Sequence, residues 1–344
     1  MKKRILAVVL ACLMVFSFVA CGESDKASTA GTDSESTDQA STDDQSAGAK
    51  KVIAVSLPSP SNQWVAAVID YAQQEAAKDP DKFDVIVKTS DTPAAQASTI
   101  EDLMLQKPDV LAVFPIESAP LTPVCEKAFD QGIKTVILDR GIDSEKYTCY
   151  IAGDNYGIGR EAAMYMGKRL NGKGDIVEIM GNPSEITTER SQGFHETIEK
   201  YFPGIKIIGQ GVGNFARDPA LKAMENLLQA NSHIDAVYSH DDEQSLGIEV
   251  AVQNAGRTDV QFTTGAGGNK SVYEGMKEGR AFLGCTVTYP PTMGGTAVAI
   301  AKKIAMGQGL SESYEPEVPR YIKINASVVT EDNVEKFYNA DSKY

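Results

Sequence analysis

From Lys51 onward the chain alternates short apolar runs with amphipathic stretches. The runs are VIAVSL (52–57), FDVIV (83–87), DVLAVF (109–114), KTVIL (134–138) and DIVEIM (175–180). They continue with IKIIGQ (205–210), DAVYS (235–239), VQFTTG (260–265) and FLGCTV (282–287). Continuous runs rich in Val and Ile suit strands covered on both faces of a parallel sheet. The intervening stretches carry helical periodicity. In Trp64 to Lys78, for example, Val65, Val68, Ile69, Ala72 and Ala76 share one face. Strand–helix alternation repeated this often predicts an α/β fold, and about 290 residues of it suit two domains better than one sheet.

The N-terminal 49 residues follow other rules. Lys2, Lys3 and Arg4 precede an apolar run from Ile5 to Ala20, the layout of a secretory signal covering residues 1–20. Phe18-Val19-Ala20-Cys21-Gly22 then resembles the lipobox of bacterial lipoproteins, which implies cleavage before Cys21 and lipid on it. An ordinary signal with an incidental cysteine is the alternative. Residues 22–49 lack Leu, Ile, Val and aromatics, and their seven acids face the single Lys26. Such a stretch cannot bury enough surface to offset its ordering entropy, so it reads as a disordered tether.

The formal charge of the whole chain is −14, and loss of the three basic residues of the signal takes it to −17. That balance argues against nucleic acid as a partner. Past Cys12 and Cys21, only Cys125, Cys149 and Cys285 remain, with neither a disulfide framework nor a zinc spacing. They read as small buried apolar residues.

Ligands of open parallel sheets bind beyond the carboxyl ends of the strands. The polar residues that follow the runs are Ser59 to Trp64, Asp139-Arg140, Asp154-Asn155, Glu189-Arg190 and His240 to Glu243. Donors and acceptors of both signs beside one large aromatic suit a neutral polyhydroxylated solute, with Trp64 as an apolar platform.

These segments, together with SLPSPSNQW, VILDRG, IAGDN, ERSQGF, MENLLQA and SHDDEQSLG in this order, resemble the ribose/galactose-type sugar-binding proteins of bacterial ABC importers. The resemblance covers Lys51 to about Val329. It implies two similar Rossmann-like lobes with parallel sheets and a three-crossover hinge, the type I periplasmic binding protein architecture. The lobes are expected over 51–152 plus 289–322 and over 153–288 plus 323–344. Crossovers are expected near Ile151–Asp154, Thr286–Pro290 and Tyr321–Lys323.

By position, the resemblance assigns ligand contacts to Asn62, Trp64, Asp139, Arg140, Arg190, Phe215 and Asp241. Thr288, also expected to contact the ligand, stands where ribose binders carry a crossover glutamine, and Phe114 where they carry an asparagine. The second-lobe turn lacks its acid, reading Gly265-Ala266-Gly267-Gly268, and the space opened at Gly267 invites a larger or less hydroxylated solute. The arginines beside Asp139 and Asp241 are expected to keep both acids ionised.

Other readings are weaker. TTGAGGNKS (263–271) is no phosphate loop, because Thr264 and Asn269 stand at its glycine positions. Adjacent acids at 241–243 do not converge on a metal, so Asp242 and Glu243 are expected as caps or surface residues. Neither a nucleophile elbow nor an HExxH pair occurs. The expectation is a non-enzymatic, lipid-anchored, extracytoplasmic monomer with no cofactor and no metal. Its partners are a small solute, a carbohydrate by resemblance, and an importer permease. A ligand-presenting sensor component is the second possibility.

Overall fold

A computed structural model describes residues 49–279, 282–310 and 317–344. The expected signal sequence, the lipid on Cys21 and the tether through residue 48 lie outside the described residues. The first half runs β1 (Lys51–Pro58), α1 (Gln63–Ala76), β2 (Phe83–Ser90), α2 (Pro93–Leu105), β3 (Val110–Val113), α3 (Ser118–Asp130), β4 (Lys134–Leu138) and β5 (Cys149–Gly153). The second repeats the pattern with α4 (Asn155–Arg169), β6 (Lys173–Met180), α5 (Glu185–Tyr201), β7 (Gly204–Val212), α6 (Arg217–Ala230), β8 (Ala236–Ser239) and α7 (Asp242–Asn254). It continues through β9 (Phe262–Gly267), α8 (Lys270–Lys277), β10 (Leu283–Thr288), α9 (Met293–Ala305), β11 (Tyr321–Ile324) and β12 (Val328–Val329).

All nine apolar runs become strands, and they fall into two six-stranded sheets ordered β11-β5-β4-β3-β1-β2 and β12-β10-β9-β8-β6-β7. Every pairing is parallel except that of β10 with β12. The chain passes between sheets after β5, after β10 and between β11 and β12. Tyr321 to Ile324 pair with Tyr150 to Gly153, so the third passage falls at 325–327, just beyond the stretch expected for it.

Period-two alternation explains the burial of both faces. In β1, Ile53 and Val55 pack towards Val68, Ala297 and Val298 of α1 and α9, while Ala54 between them packs with Ile100, Leu103 and Val124 of α2 and α3. The second sheet does the same. Ile176 and Tyr238 meet Ile158, Met166 and Phe194 of α4 and α5, and Val177 and Val237 meet Met224, Leu228 and Ile248 of α6 and α7. Lys302 of α9 ties down the end of α1 by donating to Glu75 O at 2.6 Å and Lys78 O at 2.7 Å. Cys125, Cys149 and Cys285 are free and buried, and burial raises all three thiols, Cys125 and Cys149 to about 12.

Helices α4 and α5 touch backbone to backbone. A Cβ on Gly159 would fall 2.0 Å from Arg190 O, and one on Gly193 would fall 2.0 Å from Tyr156 O. Backbone cannot yield as a side-chain tip can. Gly159→Ala should therefore destabilise the fold by about 1–3 kcal/mol, outweighing the helix propensity alanine gains of about 1 kcal/mol. Urea unfolding measures this; a variant as stable as the wild type would show that the helix pair can part at no cost.

Candidate functional site

The carboxyl ends of both sheets face a common cavity of about 360 Å³. Asn62, Trp64, Asp139, Arg140, Arg190, Phe215 and Asp241 all line it. Thr288 does not. Successive residues past a strand diverge, and Thr288 spends its groups on Ser327, whose carbonyl accepts from its N–H at 2.9 Å and whose N–H donates to its Oγ1 at 3.0 Å. The residue this crossover sends to the cavity is Tyr289.

Each wall has a local cause. Asn62 caps α1, its Oδ1 accepting from Val65 N at 2.8 Å. Trp64 opens the same helix. Its Nε1 donates to Tyr289 O at 2.8 Å, and its ring meets Tyr289 at 5.3 Å and the edge of Phe114 at 6.2 Å between centroids.

Asp139 follows β4 with φ +62°, a left-handed conformation that aspartate tolerates better than most residues. Ile151 O accepts from its N–H, and the Tyr150 hydroxyl donates to its carbonyl. The Tyr289 hydroxyl donates to its Oδ1. Phe215 also takes a left-handed φ, +54°, directly after Asn214 at +53°. Its ring lies so close over Gly181 that a Cβ there would fall 1.9 Å from the ring tip.

The arginines are held by carbonyls and an amide. Arg140 donates through Nη1 to Pro115 O and to Ile116 O, and its Nε is buried without a partner. Arg190, only 3% exposed, donates to Asn155 Oδ1 at 3.0 Å and to His240 O at 2.5 Å. Its guanidinium lies over the rings of Tyr289 (4.9 Å) and Phe215 (5.6 Å).

The acids depart from expectation. Burial pushes Asp139 up, opposed by Arg140, by the Tyr289 hydroxyl and by Arg190. Asp241 is pushed to about 8 by burial and by neighbouring Asp242, with Arg190 too engaged elsewhere to offset this. The arginines therefore do not keep Asp241 in the ordinary carboxylate range. A carboxylic acid there both donates and accepts. Asp241 also caps α7, accepting from Glu243 N at 2.8 Å. Asp242 is buried rather than at the surface. Its Oδ2 accepts from Gly268 N and Asn269 N, both at 2.8 Å, and so holds the turn after β9. Gly267 and Gly268 take φ of +133° and +88°, a conformation that suits glycine in the tight turn between β9 and α8.

The space foreseen at Gly267 is not open. The side chain of Tyr344 fills it, its hydroxyl lying 2.3 Å from where a Cβ on Gly267 would sit. Tyr289, Asn182, Ile186 and Asn214 also line the main cavity without having been singled out. Asn182 and Asn214 follow β6 and β7 and were open to the strand-end rule; Ile186 needed the turn of α5.

Two lobes that share one cavity of paired acids, paired arginines and aromatic rings define a cleft-type solute-binding protein. Residues 53–309 match the periplasmic binding protein domain, and the chain belongs to that family. It is 29% identical over 263 residues to the ribose import binding protein of Bacillus subtilis, covering 76% of this chain and 84% of that one. A solute binding protein of an ABC transporter from Bacillus halodurans, solved with bound myo-inositol, superposes with a TM-score of 0.75 at 26% identity, covering 86% of this chain and 98% of that one. The fructose binding periplasmic domain of a hybrid two-component system is 31% identical with a TM-score of 0.72, covering 84% and 93%.

The raised Asp241 sets a pH dependence. Between its ordinary 3.8 and about 8 the folded chain keeps a proton that the unfolded chain has released, so this group lowers stability as pH rises through that window. Asp242, raised to about 6, acts in the same sense. Asp241→Asn keeps the cap and removes the titration. Without solute, its stability should gain on the wild type progressively from about pH 4 to about pH 8. Thermal melts across this range check it, and a gap independent of pH would overturn the assignment.

Proposed function

We propose that the chain captures a neutral, polyhydroxylated solute of monosaccharide size between its lobes and delivers it to the permease of an ABC importer. The observation that carries this is the lining of the cavity. Arg140 and Arg190 bring donors, Asp139 and Asp241 bring acceptors, and Trp64, Phe114, Phe215 and Tyr289 supply apolar faces. Hydroxyls ask for donors and acceptors in balance, and a sugar's C–H faces ask for rings. The relatives named for ribose, myo-inositol and fructose support the same class. Asn62, Trp64, Asp139, Arg140, Arg190, Phe215 and Asp241 are the proposed contacts. Charge-assisted bonds from the arginines contribute about 1.5–3 kcal/mol each.

The chain works outside the cytoplasm in this reading, held to the membrane by lipid on Cys21. No helix among the described residues is long and apolar enough to cross a membrane. The similarity to the two-component fructose domain favours a second role, presentation of the closed form to a membrane sensor. Uptake of labelled solute by cells lacking this chain separates the two, since a pure sensor leaves uptake intact when the importer is expressed independently.

The binding test is a melt of ligand-free protein against pentoses, hexoses and polyols. A solute at about 100 times its dissociation constant should stabilise the fold by about 2.7 kcal/mol and be recovered unchanged. Arg190→Ala and Trp64→Ala should each weaken it about 10- to 100-fold, as loss of about 1.5–3 kcal/mol implies. A flat response across the panel would reject a sugar-like solute, and a chemically altered one would reject simple binding.

A further inference from the structure

After β12 a short 3-10 turn, Val334–Lys336, packs on α8, so residues 339–344 set out from the second lobe. They do not stay there. Lys270 of α8 donates to Ala340 O at 2.5 Å, whereas Lys343 reaches Asp70 of α1 at 2.6 Å. The Ser342 and Tyr71 hydroxyls lie 3.3 Å apart. Asp70 and Tyr71 belong to the first lobe. Between these ties Tyr344 turns inward. It is 3% exposed, rests on Gly267 and carries a buried hydroxyl without a partner.

A second cavity, of about 290 Å³, lies on this side of the cleft, lined by Tyr71, Gly267, Thr288, Pro290 and Tyr344 among others. Thr288 faces it and Tyr289 faces the main cavity, while Tyr289 N donates to Gly267 O at 3.2 Å. The two spaces are thus divided by one strand end and by the residues packed on it. We infer that residues 339–344 form a strap across both lobes and that its Tyr344 is the wall that limits solute size. This rests on the reading of the main cavity as a solute cleft.

Magnitudes locate the wall in the ring rather than in the ties. The Lys343–Asp70 pair is exposed, 65% and 24% by side chain, and such pairs contribute little. The hydroxyl has no partner to lose. What the strap cannot replace is the buried side chain, whose ring lies 3.3 Å from where a Cβ on Gly267 would sit and whose hydroxyl reaches to 2.3 Å.

Calorimetry on the full chain tests this, with ribose, fructose and myo-inositol set against methyl ribofuranoside, sucrose and galactinol. Wild type and Tyr344→Phe should bind a simple member about 100-fold or more tightly than its glycoside, and Tyr344→Ala should narrow that gap about tenfold or more. An equal gap in Tyr344→Ala, or no gap in the wild type, overturns the wall. If the wild type binds none of the six, the sugar reading fails on its own account, and hydrogen exchange without solute decides on the strap. Tyr344→Ala should then speed exchange both around Asp70–Tyr71 and in the 267–270 turn; unchanged exchange at α1 overturns the strap.

Discussion

The cleft depends on the buried hydroxyl of Tyr289. This residue leaves β10 at the passage between lobes and joins three others at once. Its hydroxyl donates to Asp139 at the end of β4, its carbonyl accepts from Trp64 of α1, and its ring carries the guanidinium of Arg190 from α5. Two of these partners come from the first lobe and one from the second. Leaving one buried polar group unpaired costs about 1–3 kcal/mol, so a residue that satisfies this many outweighs any surface contact between the lobes. Gly153 is part of the same constraint, since a Cβ there would fall 2.0 Å from the Tyr289 ring.

Behind the cavity, a buried charge network fixes the backbone on which Arg190 leans. Glu178 is fully buried. Burial acts to raise its carboxyl, but hydrogen bonds with His195 and His240 and one from Gln210 overcome this and hold it below the usual range. His240 then lends its carbonyl to Arg190. Because carbonyls and an amide orient both arginines, neither is consumed by Asp139 or Asp241. The acids accordingly feel burial more than attraction, and the cavity keeps hydrogen-bonding capacity of both kinds.

The parts of this architecture that were legible in the sequence are those written locally. Buried parallel strands are continuous apolar runs, so the nine runs and the polar residues after them placed the sheets and most of the lining. β5 escaped because CYIAG is short and small, and β11 and β12 because their pairing is decided by distant strands. At the β10 crossover, position alone pointed to Thr288. The backbone turns its neighbour Tyr289 inward instead, and no periodicity holds past the end of a strand. Gly267 shows a deeper limit. A missing side chain reads as space, whereas the filling comes from Tyr344, 77 residues further along the chain. Asp241 is similar, because its titration is raised by burial and by Asp242 beside it, with Arg190 only opposing this, and burial is something only packing reveals.

The division of the lining between lobes bears on how binding would be transmitted. Asn62, Trp64, Asp139 and Arg140 stand on the first lobe, and Asn182, Arg190, Phe215 and Asp241 on the second. Neither set alone surrounds a solute. A molecule held by one lobe gains about half of the available bonds, and only the closed arrangement adds the rest. That difference in affinity is the whole of the free energy with which a solute can shift the lobes towards closure. Contacts between the lobes that need no solute, such as the Arg190 guanidinium over the Tyr289 ring, stabilise closure on their own account and so reduce what the solute must supply. The strength of Tyr289's attachments therefore sets both the affinity of the cleft and how faithfully a closed shape reports that it is filled.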